Sequence, residues 1–113
     1  MTPNEYQRKA LNTCTKNSYS LEYLIPGLAS EAGEVAGKFA KMIRKHGSYK
    51  KMSSEEREQF ETELMKELGD VMWFIALTAH IIKFDLEIVM SQNIAKLTDR
   101  QSRGVIEGDG DNR

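Results

Sequence analysis

The scarcity of helix breakers constrains this chain most. Prolines stand only at Pro3 and Pro26 among 113 residues, and no run alternates apolar and polar side chains as an exposed strand would. Four helices are predicted, over about 3–17, 24–45, 54–83 and 86–100, followed by an irregular Gly- and Asp-rich tail over 101–113. Thr2 can cap the first helix with Pro3 at its first position, where a missing N–H costs little. Ser53 and Glu56 form a capping-box pattern that opens the third. Asp85 can cap the fourth. The expected fold class is all-α, a four-helix bundle-like protomer forming one domain over 1–113.

Composition narrows the setting. Charged residues make up 29% and the formal charge is −1, so no global field points to nucleic acid or to a membrane. A single cysteine, Cys14, cannot form an internal disulfide and suggests a reducing compartment. The opening residues lack the apolar core of a signal peptide. The longest apolar-rich stretch, Val71 to Ile82, is too short to span a membrane. These features make a cytoplasmic setting the expectation. A chain this short leaves much of its surface in water, and the third helix is apolar around much of its circumference, with Trp73, Ala76 and Ala79 away from its main stripe. A homo-oligomer is therefore expected.

Two short stretches break the helical pattern. SEAGEVAGKFAK, from Ser30, places Glu31 and Glu34 three apart among small residues; KELGDVMWF, from Lys66, does the same with Glu67 and Asp70. On the third helix Leu64, Leu68, Val71, Ile75 and Ile82 define an apolar face. Glu67 and Asp70 lie beside it, in line with Phe74, Leu77, Thr78 and Ile81. On the second, Leu28, Val35, Phe39 and Met42 form the stripe, with Glu31 at its edge and Glu34 further out. If exposed, such like-charge pairs cost a few tenths of a kcal/mol each. If they face a helix–helix seam, each ionised carboxylate costs several kcal/mol in desolvation, and a cluster of four would require cations. Hard divalent ions with oxygen ligands, Mg²⁺ above all, suit an all-carboxylate cluster. Gly33, Gly37 and Gly69 would allow backbones to approach there. On the pattern alone, a metal cluster and an ordinary bundle with charged edges both remain open.

His46 and His80 do not follow a Glu by three residues, as ligands of a di-iron bundle would, and read as surface or packing residues. Trp73 and Tyr6 read as core or interface aromatics, with base stacking as the alternative. The segment from Lys38 to Lys51 carries six cations and no acid. It can attract phosphate or pair with the acids of Glu55 to Glu63 in a neighbouring chain. No nucleic-acid reading motif accompanies it.

GLASEAGEVAGKFAK followed by KELGDVMWFIALTA resembles the MazG-like all-α nucleoside triphosphate pyrophosphohydrolases, whose hallmark is Glu-x-x-Glu on one helix and Glu-x-x-Asp on the next. NEYQRKA near the start and NIAKLTDR in the fourth helix extend the likeness from Asn4 to about Arg100. The segment between the acidic pairs, residues 35–66, is longer than the family's usual gap. The resemblance implies Mg²⁺-dependent, or Mn²⁺-dependent, cleavage of the α–β phosphate bond of an NTP or dNTP. It implies Glu31, Glu34, Glu67 and Asp70 as metal-binding and catalytic residues. It places Lys96 and Arg100 at the triphosphate, with Asn93 on the same helix face; Lys38 and Trp73 are further substrate-binding candidates. A homodimer or homotetramer is implied, with sites completed by a second chain. The competing class is a non-catalytic helical oligomerisation or partner-binding module that keeps the fold.

Overall fold

The computed structural model describes residues 1–113 and is all-helical. Four α-helices, α1 Pro3–Asn12, α2 Leu21–His46, α3 Ser54–Ile81 and α4 Leu86–Ser102, are joined by short connections that include 3₁₀ turns at Lys16–Ser18 and Tyr49–Lys51. No helix is long and apolar enough to cross a membrane.

Thr2 and Ser53 cap α1 and α3 as expected, and the capping box expected at Ser53–Glu56 is matched by a second at Thr2–Glu5. Thr2 accepts from the N–H of Glu5 and Ser53 from that of Glu56, while each glutamate reaches back to its cap. Other boundaries differ from the sequence expectation. The first helix stops at Asn12 rather than Asn17, because Thr13 turns its hydroxyl back onto the Ala10 carbonyl at 2.7 Å and ends the turn locally. The second begins at Leu21, where the Ser20 side chain accepts from Tyr23 N–H, and it absorbs Pro26 in its interior. The third ends at Ile81, and Lys83 takes a left-handed conformation with φ 70°. The fourth runs two residues past Arg100.

The start of α4 is capped from elsewhere. Asp85 occupies the cap position, but its side chain makes no capping hydrogen bond. Gln7 of α1 accepts from Leu86 N–H at 3.1 Å, and Asn4 accepts from Glu87 N–H at 3.0 Å. The buried Gln7 amide also donates to the carbonyls of Ala76 and Phe84. One side chain thus satisfies three backbone groups at the α3–α4 corner.

The core is small and centres on Leu24, Phe74, Ala76, Leu77, Leu86 and Ala10. This corrects the face assigned to α3. Leu68 and Ile82 are 52% and 48% exposed, whereas Phe74 and Leu77, in line with Glu67 and Asp70, are buried. Ala76 and Ala79, expected away from the main stripe, are buried too. The reason is that α1 packs across that flank of α3, as Gln7 and the Trp73–Thr13 hydrogen bond show.

The expected glycine seam is also corrected. A Cβ added at Gly33, Gly37 or Gly69 would meet nothing within 4 Å. At Gly27 it would stand 2.2 Å from the Phe74 ring. The close approach of α2 and α3 therefore lies one turn before Glu31, at the hydrophobic core.

The protomer is open. Its radius of gyration is 17.3 Å, against about 13 Å for a compact domain of this length. Met65 and Ile94 are each 62% exposed, and Met72, Ile25 and Met90 also face outward.

Candidate metal centre

Glu31 comes from α2, and Glu67 and Asp70 come from α3. One carboxylate oxygen from each lies within 4.8 Å of the others. The two helices run antiparallel, and the Gly27–Phe74 contact fixes their separation one turn away. Glu31 and Glu67 are half-buried, and Asp70 is exposed. Glu34 falls outside this group but remains near enough to act on Glu31.

The electrostatics match crowded carboxylates. Burial pushes the Glu31 carboxyl above its ordinary value, and the charges of Glu34, Asp70 and Glu67 push it further. The Tyr6 phenol is raised as well, first by burial and then by Asp70. A divalent cation would relieve this repulsion. Three oxygen donors from two helices, with open space toward Asp70, fit a hard ion that keeps water in its remaining positions. Because ligating carboxylates must be ionised, affinity for such an ion would rise with pH.

Lys38 stands one turn beyond Glu34. Its ammonium lies 3.4 Å from Glu67 and 3.6 Å from Glu63. It also lines a pocket between α2 and α3 with Lys41, Lys45, His46, Glu56 and Phe60. The basic segment thus meets acids of its own chain, Lys38 with Glu63 and His46 with Glu56. His80 accepts or donates a 2.8 Å hydrogen bond with Tyr19, a packing role as expected.

The remaining candidates lie apart from the triad's immediate contacts. Trp73 stacks edge-on against Phe74 at 4.9 Å, and its indole N–H donates to Thr13 at 2.7 Å. Only its ring remains to offer a ligand. Asn93 is exposed on α4, in a groove shared with Ile88, Val89 and Lys96. Lys96 and Arg100 both engage Asp111 of the tail. Tyr6 is the neighbour that sequence reasoning missed. Nothing in its spacing from the acids could have placed it beside Asp70, since α1 is brought there only by packing.

A family model described as the MazG nucleotide pyrophosphohydrolase domain matches residues 19–105. The chain is 42% identical over 93 residues to "Gene 37 protein" of Mycobacterium phage L5, covering 82% of this chain and 76% of that one. No solved structure matches. The acid triad and the helices that carry it all fall inside the matched segment, and the chain belongs to the MazG nucleotide pyrophosphohydrolase domain family.

Proposed function

We propose that this chain hydrolyses the α–β phosphate bond of an NTP or dNTP, releasing the monophosphate and pyrophosphate. One observation carries the proposal: Glu31, Glu67 and Asp70 converge from two helices in a chain of this family. Such a site suits Mg²⁺, or Mn²⁺, with Glu34 completing the acid set. The bound cation would neutralise phosphate charge and lower the pKa of an attacking water.

The protein's own residues then divide the work. Glu67 and Asp70 hold the cation. Glu31, the member of the cluster that comes from α2 rather than α3, would orient the water. Lys96 and Arg100 bind the outer phosphates, Asn93 hydrogen-bonds beside them, and Lys38 exchanges Glu67 for a phosphate oxygen. Trp73 offers its ring to the base.

A homodimer or homotetramer is part of this proposal. The outward Met65, Met72 and Ile94, together with the large radius of gyration, support it: such apolar surface is unusual on a monomer. Sedimentation at micromolar concentration should show no monomer.

Pyrophosphate release from a panel of nucleotides, with Mg²⁺ and with EDTA, tests the activity. Asp70→Asn should nearly abolish release while preserving shape. It should also lose the stabilisation by Mg²⁺, about 2.7 kcal/mol at a hundred times the dissociation constant. A wild-type protein that binds metal but releases no pyrophosphate from any nucleotide would favour the non-catalytic helical module.

A further inference from the structure

Lys96 and Arg100 stand one turn apart on α4 and share one acceptor. Arg100 donates through Nη2 to the main-chain carbonyl of Asp111 at 2.6 Å and to its carboxylate at 3.3 Å. The Lys96 ammonium lies 3.4 Å from the same carboxylate oxygen. The burial is lopsided. The Arg100 side chain is 5% exposed and that of Asp111 is 85% exposed. A cation is built into the fold, and an anion lies on top of it.

The segment that carries Asp111 is tied mainly to itself. Arg113 donates to the carbonyls of Val105, Ile106 and Gly110, and Arg103 donates to the carbonyl of Arg113. Arg113 thus closes residues 105–113 into a loop that presents Asp111 outward from its own hydrogen bonds. The bond from Arg100, and then Lys96, holds the Asp111 carboxyl below its usual range, as an anion in a cationic seat would be.

We propose that Asp111 is an internal stand-in for phosphate: it occupies the Arg100–Lys96 pair when the site is empty, and the polyphosphate of the substrate displaces it. This rests on the phosphate-binding role proposed above for the two cations. The chemistry favours exchange. A guanidinium fork beside an ammonium matches phosphoryl oxygens at least as well as a carboxylate. The Asp111 carboxylate is itself in water and screened there, so it is the half of the pair that can be displaced. A ligand with several adjacent charges outcompetes one carboxylate, whereas a nucleoside monophosphate competes poorly. The loop therefore favours a triphosphate over a monophosphate at the pair, and Asp111 returns to its seat once pyrophosphate, which carries the outer phosphates, has left.

The test is calorimetric binding of inorganic tripolyphosphate to the full chain in EDTA at low ionic strength. Asp111→Asn should lower the dissociation constant about two- to fivefold, because it removes the competing charge and keeps the main-chain contact. Asp109→Asn removes the same charge from the same loop and should leave binding unchanged. Adding Lys96→Ala to Asp111→Asn should abolish the gain. Equal binding by Asp111→Asn and wild type, an equal gain from Asp109→Asn, or no binding by any form overturns the proposal. Hydrolysis assays separate it from the reading on which it rests. A gain in Asp111→Asn without nucleotide hydrolysis keeps the displaceable loop and removes the enzyme; hydrolysis without the gain does the reverse.

Discussion

Lys38 of α2 holds Glu67 of α3 across the helix seam at 3.4 Å, and Glu67 is one of the three acids that converge there. The same lysine therefore satisfies Glu67 in the absence of a cation and competes with any cation for it. Both side chains are partly shielded, so the pair stabilises by about 0.5–1 kcal/mol. Lys38→Ala should tighten Mn²⁺ binding about two- to fivefold in a titration without nucleotide. It should also raise the KM for a triphosphate, because the ammonium is then missing from the phosphates. Weaker Mn²⁺ binding in the variant would show that Lys38 orients Glu67 for the metal instead.

Gln7 carries a structural prediction. Its buried amide serves Ala76, Phe84 and Leu86. Gln7→Leu conserves approximate volume and deprives the Phe84 carbonyl and the Leu86 N–H of their Gln7 partner, while the Ala76 carbonyl, inside α3, loses only an additional donor. Each buried orphan costs about 1–3 kcal/mol, partly offset by the added apolar atoms. A loss of about 2–4 kcal/mol is expected from urea unfolding, with the slope unchanged. A loss under about 0.5 kcal/mol would mean that water reaches the α3–α4 corner.

Gly27 and Gly33 should respond oppositely to alanine. Gly27→Ala drives a methyl into the Phe74 ring, which Trp73 and Tyr23 hold in place. Overpacking of this kind costs about 1–3 kcal/mol. Because Glu31 lies one turn away, the variant should also weaken metal binding. Gly33→Ala meets nothing in the protomer and should stabilise α2 by up to about 1 kcal/mol. Destabilisation by Gly33→Ala, accompanied by dissociation in sedimentation, would place Gly33 against a partner chain.

Two acids should make stability respond to pH in opposite senses in the metal-free protein. Glu31 is raised by burial and by Glu34, Asp70 and Glu67, so the folded chain holds its proton more readily than the unfolded chain. Its contribution is fully present below the unfolded value and is lost as pH rises through the raised value. Glu56 is lowered, first by the main-chain N–H of Ser53 and then by the Ser53 side chain. Its contribution is present above the unfolded value and is lost as pH falls through the depressed one. Urea midpoints measured in EDTA across about pH 3 to 7 should therefore lose their decline toward neutrality in Glu31→Gln. They should lose part of their acid-side fall in Glu56→Gln. Parallel curves for wild type and Glu31→Gln would contradict the crowding of these carboxylates.

The sequence by itself determined the helical class, the caps at Thr2 and Ser53 and the two acidic pairs, because each is written in local spacing. Thr2 and Glu5, or Ser53 and Glu56, lie three residues apart and meet whenever a helix starts. The pairing of Glu31 with Glu67 and Asp70 was legible only through resemblance to a family, since no local rule joins α2 to α3. Packing decided the rest. Whether Leu68 or Phe74 lies inside depends on which flank of α3 receives α1, and both stripes are apolar enough to be buried. The cap of α4 came from Gln7 and Asn4 rather than Asp85, because α1 brings amide groups to N–H donors more than seventy positions away. Gly27, not the glycines beside the acids, takes the close contact, because helix separation is set where the largest buried ring meets the smallest residue. The seat of Asp111 on Arg100 followed the same logic: a tail that reads as irregular acquired its place from a buried guanidinium, which no spacing in the sequence could reveal.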